Sequence, residues 1–183
     1  MLKRCLLLFS GGIDSTACLY YYLSAGYAVT PLYVDFKQSA LENELESVSA
    51  ISDRYDVSPQ IVHYSSPITY TTGEICGRNA FFIFIALMAN PNFCGTLAMG
   101  LHAGTPYYDC SERFANDIQR LLDGYSNGQI IFEAPFLKWN KKMVFQYCLD
   151  NAVPVDMTYS CEKGGDEPCS VCLSCLDRRS LLC

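Results

Sequence analysis

Cys161, Cys169, Cys172 and Cys175 are separated by seven, two and two residues in the last quarter of the chain. Four thiolates at that spacing suit one tetrahedral ion. Two overlapping CxxC steps let the amides of a tight turn face the sulfurs, and zinc takes four soft ligands at about 2.3 Å. We read these cysteines as ligands of a structural Zn2+ rather than as buried or disulfide-bonded residues, since scattered cysteines rarely fall into such a pattern. With all four positions filled, no water is activated there.

The second group able to do chemistry is Phe9-Ser10-Gly11-Gly12-Ile13-Asp14-Ser15-Thr16. Two glycines let the backbone pass close to an anion, and a following helix start presents unpaired N–H groups with a favourable dipole. Ser10 and Ser15 add hydroxyl donors. No Gly-Lys-Ser/Thr follows the glycines, so this is not a Walker A loop, nor is it the GxGxxG of a dinucleotide fold.

These residues need a scaffold, and the chain supplies an alternating one. Cys5–Phe9 is a continuous apolar run ending in a glycine pair, as a buried parallel strand would be. Strands are also expected over 28–36, 60–64, 96–100 and 129–133. Helices are expected over 15–25, 40–55 (acidic residues on its wet face), 79–89, 113–122 and 141–151. Strands alternating with helices predict an α/β fold, a twisted parallel sheet with helices on both faces. Ligands of such sheets bind beyond the carboxyl ends of the strands. Residues 1–155 are expected to form one domain, with 156–183 as its metal-tied appendage.

The chain has 183 residues, 11 of them cysteine, and a formal charge of −6 with no run of Lys or Arg, which disfavours long nucleic acids as partners. The apolar run after Arg4 is too short for a signal core or a membrane span, and a reducing cytoplasm is the expected location.

The loop Ser10–Ser15 resembles the pyrophosphate-binding loop of N-type ATP pyrophosphatases. Three further segments narrow the likeness: Gly77-Arg78-Asn79-Ala80-Phe81, Tyr108-Asp109-Cys110, and Thr158-Tyr159-Ser160-Cys161 through Cys175. Together they resemble the 7-cyano-7-deazaguanine synthase (QueC) family over nearly the whole chain. The resemblance implies a PP-loop, adenine-nucleotide α-hydrolase-like fold and an enzyme that uses ATP to activate the carboxylate of 7-carboxy-7-deazaguanine. Ammonia then gives an amide, and a second ATP-dependent step gives the nitrile. It implies that residues 9–16 and Asp35 bind ATP, with Mg2+ at Asp14 or Asp35. It places Arg78, Asn79, His102, Tyr108, Asp109 and Ser160 at the deazaguanine, and Lys141, Asp109 and Arg78 at the chemistry. Asp35 and Gln38 match the family's pair after the second strand. Chemically, Arg78 suits a phosphate or carboxylate as well as a surface turn, and Asn79 suits a helix cap as well as a base edge.

The chain also departs from that family. The stretch between Tyr64 and Cys76 is short, Cys76 stands where the family has Pro, Lys37 where it has Gly, and His102 where it has Asn. Such compact chains are similar to QueC-like proteins of bacterial antiphage defence. That likeness implies an alternative in which the activated deazaguanine is joined through an amide to an amine of a partner protein. The resemblance allows a homodimer. Thiolation, for which Cys110 would be the reactive cysteine, and a non-enzymatic nucleotide-binding role remain as competing classes.

Overall fold

A computed structural model describes residues 2–70, 75–104 and 106–181, so Thr105 in the loop before Asp109 and 71–74 in the short stretch before Cys76 lie outside it. Five strands, β1 (Arg4–Leu8), β2 (Ala28–Asp35), β3 (Gln60–His63), β4 (Gly95–Met99) and β5 (Ile130–Glu133), form one parallel sheet in the order β3-β2-β1-β4-β5. Six helices accompany them: α1 (Ile13–Ser24), α2 (Leu41–Arg54), α3 (Arg78–Ala89), α4 (Glu112–Ser126), α5 (Lys141–Asp150) and α6 (Leu173–Leu181).

Both faces of the sheet are covered. Alternate residues of β1 point to opposite sides, so Cys5 and Leu7 join α1, α2 and α5 in one core, while Leu6 and Leu8 join α3 and α4 in the other. This explains why β1 reads as an unbroken apolar run. The connection from β1 leads to β2 on one side, whereas β4 lies on the other side with Leu8 beside Met99. The chain therefore reverses its winding between β1 and β4, and a crevice opens beyond their carboxyl ends.

Three expected bounds shift for local reasons. Helix α1 begins at Ile13 rather than Ser15, because the Gly12 carbonyl already accepts from the amide of Thr16 at 3.0 Å. Helix α4 runs through Gly124 to Ser126 and ends at Asn127, whose φ of 51° is left-handed. The tail does not stay a turn: after Cys172 it becomes α6, with Cys175 in the first turn.

Candidate functional site

Beyond the strand ends lies a cavity of about 700 Å3. Its floor is the loop after β1, where Gly11 has φ +73° and a Cβ there would come within 2.9 Å of the Ser47 Cβ on α2. The glycine is thus required both by the backbone and by the approach of α2. Gly12 caps α1 without a side-chain bond, leaving the amides of the first turn without acceptors inside the helix. The Ser15 hydroxyl donates to the Gly12 carbonyl at 3.0 Å and accepts from the Ser10 amide at 3.3 Å, which closes the loop upon itself. Thr16 is fully buried and donates to the same carbonyl at 2.9 Å, so it shapes the loop without reaching the cavity.

One acidic group stands at the centre. Asp14 Oδ2 contacts Lys141 Nζ and lies 3.8 Å from His102 Nε2, while Oδ1 is buried and unpartnered. Lys141 opens α5, the positive end of that helix, where a cation is unfavourable without a counter-charge. Asp14 supplies it from the first turn of α1. His102 Nδ1 accepts from the Gly104 amide at 3.0 Å, which leaves Nε2 as the protonated nitrogen of a neutral ring facing Asp14. Burial, with the charge of Lys141, pushes its pKa below the ordinary value against the pull of Asp14 and Asp177. Gly100 makes this convergence possible, since a Cβ there would stand 2.7 Å from the Asp14 backbone.

The opposite wall comes from α3 and the loop before α4. Gly77, with φ +75°, caps α3, and Arg78 opens it at the cavity. Asn79 is neither a cap nor free: it is buried, and its Nδ2 donates to the Asp109 carbonyl at 3.2 Å, tying the Asp109 loop to α3. Phe9, Ser10, Gly12, Ile13, Asp14, Ser15, Arg78, Asn79, His102, Asp109, Lys141 and Ser160 all border the cavity.

Four expected residues do not: Gly11 and Thr16 shape the loop from behind it, and Tyr108 and Asp35 are turned elsewhere. Tyr108 is exposed and its hydroxyl donates to Asp117 at 2.8 Å, because the short 3-10 turn over 108–110 directs Tyr107 inward instead. Asp35 is held away by His63 Nδ1 at 2.9 Å and by the Lys37 amide at 3.0 Å. Burial raises its pKa, but those hydrogen bonds and the nearby charges outweigh it and leave the carboxyl below its ordinary range.

A further correction concerns α2. Glu44, read as part of a wet acidic face, is turned inward to the cavity. Its Oε2 accepts from the Tyr33 hydroxyl and from Gln38 Nε2, both at 2.7 Å. Gln38 is spent in this network, since its Oε1 accepts from the Phe36 amide at 3.0 Å. Burial raises the Glu44 pKa, opposed by these two donors and by Arg78. A signal existed in the sequence: Glu44 stands three, four and seven residues before Ser47, Val48 and Ile51, so it shares the buried stripe of α2, whereas Glu42 in the same turn is exposed.

The metal cluster closes the remaining side. The four sulfurs of Cys161, Cys169, Cys172 and Cys175 lie within 4.8 Å of one another, and those of Cys169 and Cys175 are 3.9 Å apart. Amides of Val171 and Cys172 lower the Cys169 thiol to about 6, whereas burial and neighbouring sulfurs push Cys175 up to about 12. Four thiolates this close cannot all ionise unaided, and a bound cation removes that conflict, so the donor set fits a metal ion. The cluster reaches the glycine loop through backbone, the Tyr159 amide donating to the Gly11 carbonyl at 3.2 Å, and the Ser47 hydroxyl of α2 donates to the Met157 carbonyl. Arg178 on α6 grips this segment, donating to the carbonyls of Thr158 at 2.8 Å and Val155 at 2.9 Å and to the hydroxyls of Thr158 and Ser160.

The comparisons with known proteins can be set on this geometry. A sequence profile of the family described as "Queuosine biosynthesis protein QueC" matches residues 4–182. The chain belongs to that family. Relatives of this QueC chain include proteins named 7-cyano-7-deazaguanine synthase from Campylobacter jejuni (serotype O:6), 28% identical over 97% of this chain and 92% of the relative. Another, 7-cyano-7-deazaguanine synthase 2 of Desulfitobacterium hafniense, is 30% identical over 95% of this chain and 86% of its own length. The first alignment runs over 211 residues while taking in only part of a 183-residue chain, so that relative carries segments with no counterpart here. Among solved structures, the U34-tRNA thiolase NcsA of Methanococcus maripaludis, with its [4Fe-4S] cluster, matches with TM-score 0.50 at 14% identity, over 98% of this chain and 64% of that one. A predicted tRNA methyltransferase subunit from Methanocaldococcus jannaschii matches with TM-score 0.52 at 13% identity, over 79% and 73%. At those identities they speak to the fold alone, a parallel α/β sheet with helices on both faces.

Proposed function

We propose that this QueC chain adenylates the carboxylate of 7-carboxy-7-deazaguanine with ATP and lets ammonia displace AMP, ending at 7-cyano-7-deazaguanine. A carboxylate oxygen attacks the α-phosphorus and the bond to the bridging oxygen breaks, releasing pyrophosphate. Ammonia then attacks the acyl carbon, AMP leaves and a proton is lost, giving the amide. The amide oxygen then attacks the α-phosphorus of a second ATP, releasing pyrophosphate, and AMP leaves with that oxygen while the nitrogen loses two protons, giving the nitrile. The observation that carries this reading is the meeting of the glycine loop, the Asp14–Lys141 pair and Arg78 in one cavity. Positioning and charge stabilisation are what such a reaction needs from a protein.

In this scheme residues 9–15 cradle the pyrophosphate, chiefly through backbone amides, with Thr16 holding the loop from behind, and Lys141 offsets charge developing on the phosphates. Arg78 forks onto a phosphate or the substrate carboxylate. Asp109, His102, Asn79 and Ser160 line the deazaguanine side, with Asn79 acting by holding the Asp109 loop. Asp14 Oδ1, buried and unpartnered, fits Mg2+ shared with the phosphates, and that ion would neutralise the leaving pyrophosphate. Asp35, fastened to His63, is no longer part of the ATP or magnesium site.

Zn2+ suits the four cysteines, because sulfurs at about 2.3 Å from a tetrahedral ion stand about 3.8 Å apart. The 3.9 Å between Cys169 and Cys175 supports a single ion over a larger cluster. Its role is to fix Thr158–Ser160 beside the loop.

A second reading is that the acceptor is an amine of a partner protein, with the product left as an amide. The segments that the Campylobacter relative has and this chain lacks favour it, since a more open mouth admits a larger acceptor. Pyrophosphate release measured with ATP, with and without 7-carboxy-7-deazaguanine, tests the shared first step. Release that depends on the deazaguanine is expected, and release indifferent to it would overturn both readings.

A further inference from the structure

Glu44 is a carboxylate that the scheme above leaves without a task. It borders the cavity, yet among the described residues no Lys, Arg or His comes within ion-pair distance of it. Its Oε2 accepts from Tyr33 and Gln38, while no protein donor among the described residues reaches Oε1. Gln38 is itself locked by the Phe36 amide, and the rings of Phe36, Tyr70 and Phe82 stand together beside it, with centroids 5.4 Å and 5.1 Å from that of Phe36. All three rings border the same cavity. An acceptor with a fixed free oxygen beside flat apolar walls has the chemistry to read the edge of a planar heterocycle that offers an N–H.

We propose that Glu44 is a specificity-determining residue, whose Oε1 accepts an N–H from the edge of a bound nucleobase, with Tyr33 and Gln38 as its positioning residues. The inference rests on the proposed reaction, which brings two such bases to the enzyme. The 6-amino group of ATP's adenine is one source of the N–H. The other is the N1–H and 2-amino edge of the deazaguanine.

Glu44→Gln tests this with little change of shape. Its carbonyl oxygen can still accept from Tyr33 and Gln38, so the amide NH2 turns to the cavity and an acceptor becomes a donor. Calorimetry would measure ATP and 7-carboxy-7-deazaguanine separately on wild type and variant. One ligand should bind about tenfold to a hundredfold more weakly, as expected for loss of a hydrogen bond to a charged group, while the other changes less than twofold. Weakened ATP assigns adenine as the source, and weakened deazaguanine assigns the second base. An analogue of the affected ligand stripped of those donors (the 6-amino group of adenine, or both N1–H and the 2-amino group of the deazaguanine) should then bind both proteins alike. Tyr33→Phe should weaken the same ligand by a smaller factor. Unchanged affinities for both ligands, or equal losses for both with a lowered melting temperature, would overturn the assignment. A wild type that binds both ligands but shows no deazaguanine-dependent pyrophosphate release would instead sink the proposed reaction and leave the binding result standing. A wild type that binds neither would remove both.

Discussion

Replacing Arg178 by Ala should both destabilise the protein and loosen the loop that faces the phosphates. The guanidinium holds two carbonyls and two hydroxyls of the 155–160 segment. The Val155 carbonyl keeps the Thr158 amide and hydroxyl as donors after the change, but the Thr158 carbonyl, on a residue only 6% exposed, loses the donor described here. A lost charge-assisted bond and one orphaned carbonyl together come to about 2–4 kcal/mol, given that Arg178 is partly open to solvent. For a chain of this length that lowers the melting temperature by about 5–15 °C. Circular dichroism melts read this directly. Arg178→Lys should recover only part, because an ammonium cannot span the four acceptors. Since Tyr159 lies within the gripped segment and its amide binds the Gly11 carbonyl, ATP affinity should also fall, by about threefold to tenfold, the size of one ordinary hydrogen bond. An Ala variant that melts within two degrees or so of wild type and binds ATP equally well would refute the idea that α6 braces the loop.

Gly100→Ala forces a Cβ against the Asp14 backbone and should cost about 1–3 kcal/mol of stability with loss of ATP binding; a stable variant with normal ATP affinity would contradict the close approach. Lys141→Gln should leave the melt unchanged while slowing pyrophosphate release about a hundredfold to a thousandfold in single-turnover assays, as for loss of one transition-state donor. His102 has its pKa lowered in the fold, so the unfolded chain takes up the proton first as pH falls below about 6.5. Its contribution to stability is therefore present above that pH and lost on acidification, and chemical denaturation between pH 7 and 5 should show a smaller loss in His102→Asn than in wild type. Chelation should abolish activity and lower the melt, whereas Co2+ exchange should restore both with an unaltered pH–rate profile; a strong shift in that profile would mark the ion as catalytic.

Much of this was legible in the sequence because the signals are local. The apolar run of β1, the glycine pair and the CxxC steps depend only on neighbours, and the structure places the loop and the four sulfurs together as expected. What was not legible depends on direction. Tyr107 and Tyr108 are adjacent and alike, and only the turn over 108–110 decides which faces the cavity. Asp35 sits at a strand end, as a ligand would, yet its partner His63 is 28 residues away on the next strand. Glu44 seemed an outer-face residue because a carboxylate is read as solvated even on the buried stripe of a helix, and its donors Tyr33 and Gln38 lie outside α2. Helix α6 was hidden by the cysteines, whose spacing describes the ion rather than the backbone that follows.

The central claim is best tested by mass spectrometry of the products formed by the purified, metal-loaded enzyme with ATP, Mg2+, ammonia and 7-carboxy-7-deazaguanine. The account predicts AMP, pyrophosphate and a deazaguanine that has gained a nitrogen, first as the amide and then, with loss of water, as the nitrile. Unchanged 7-carboxy-7-deazaguanine with no AMP formed, under conditions where both ligands bind, would contradict it.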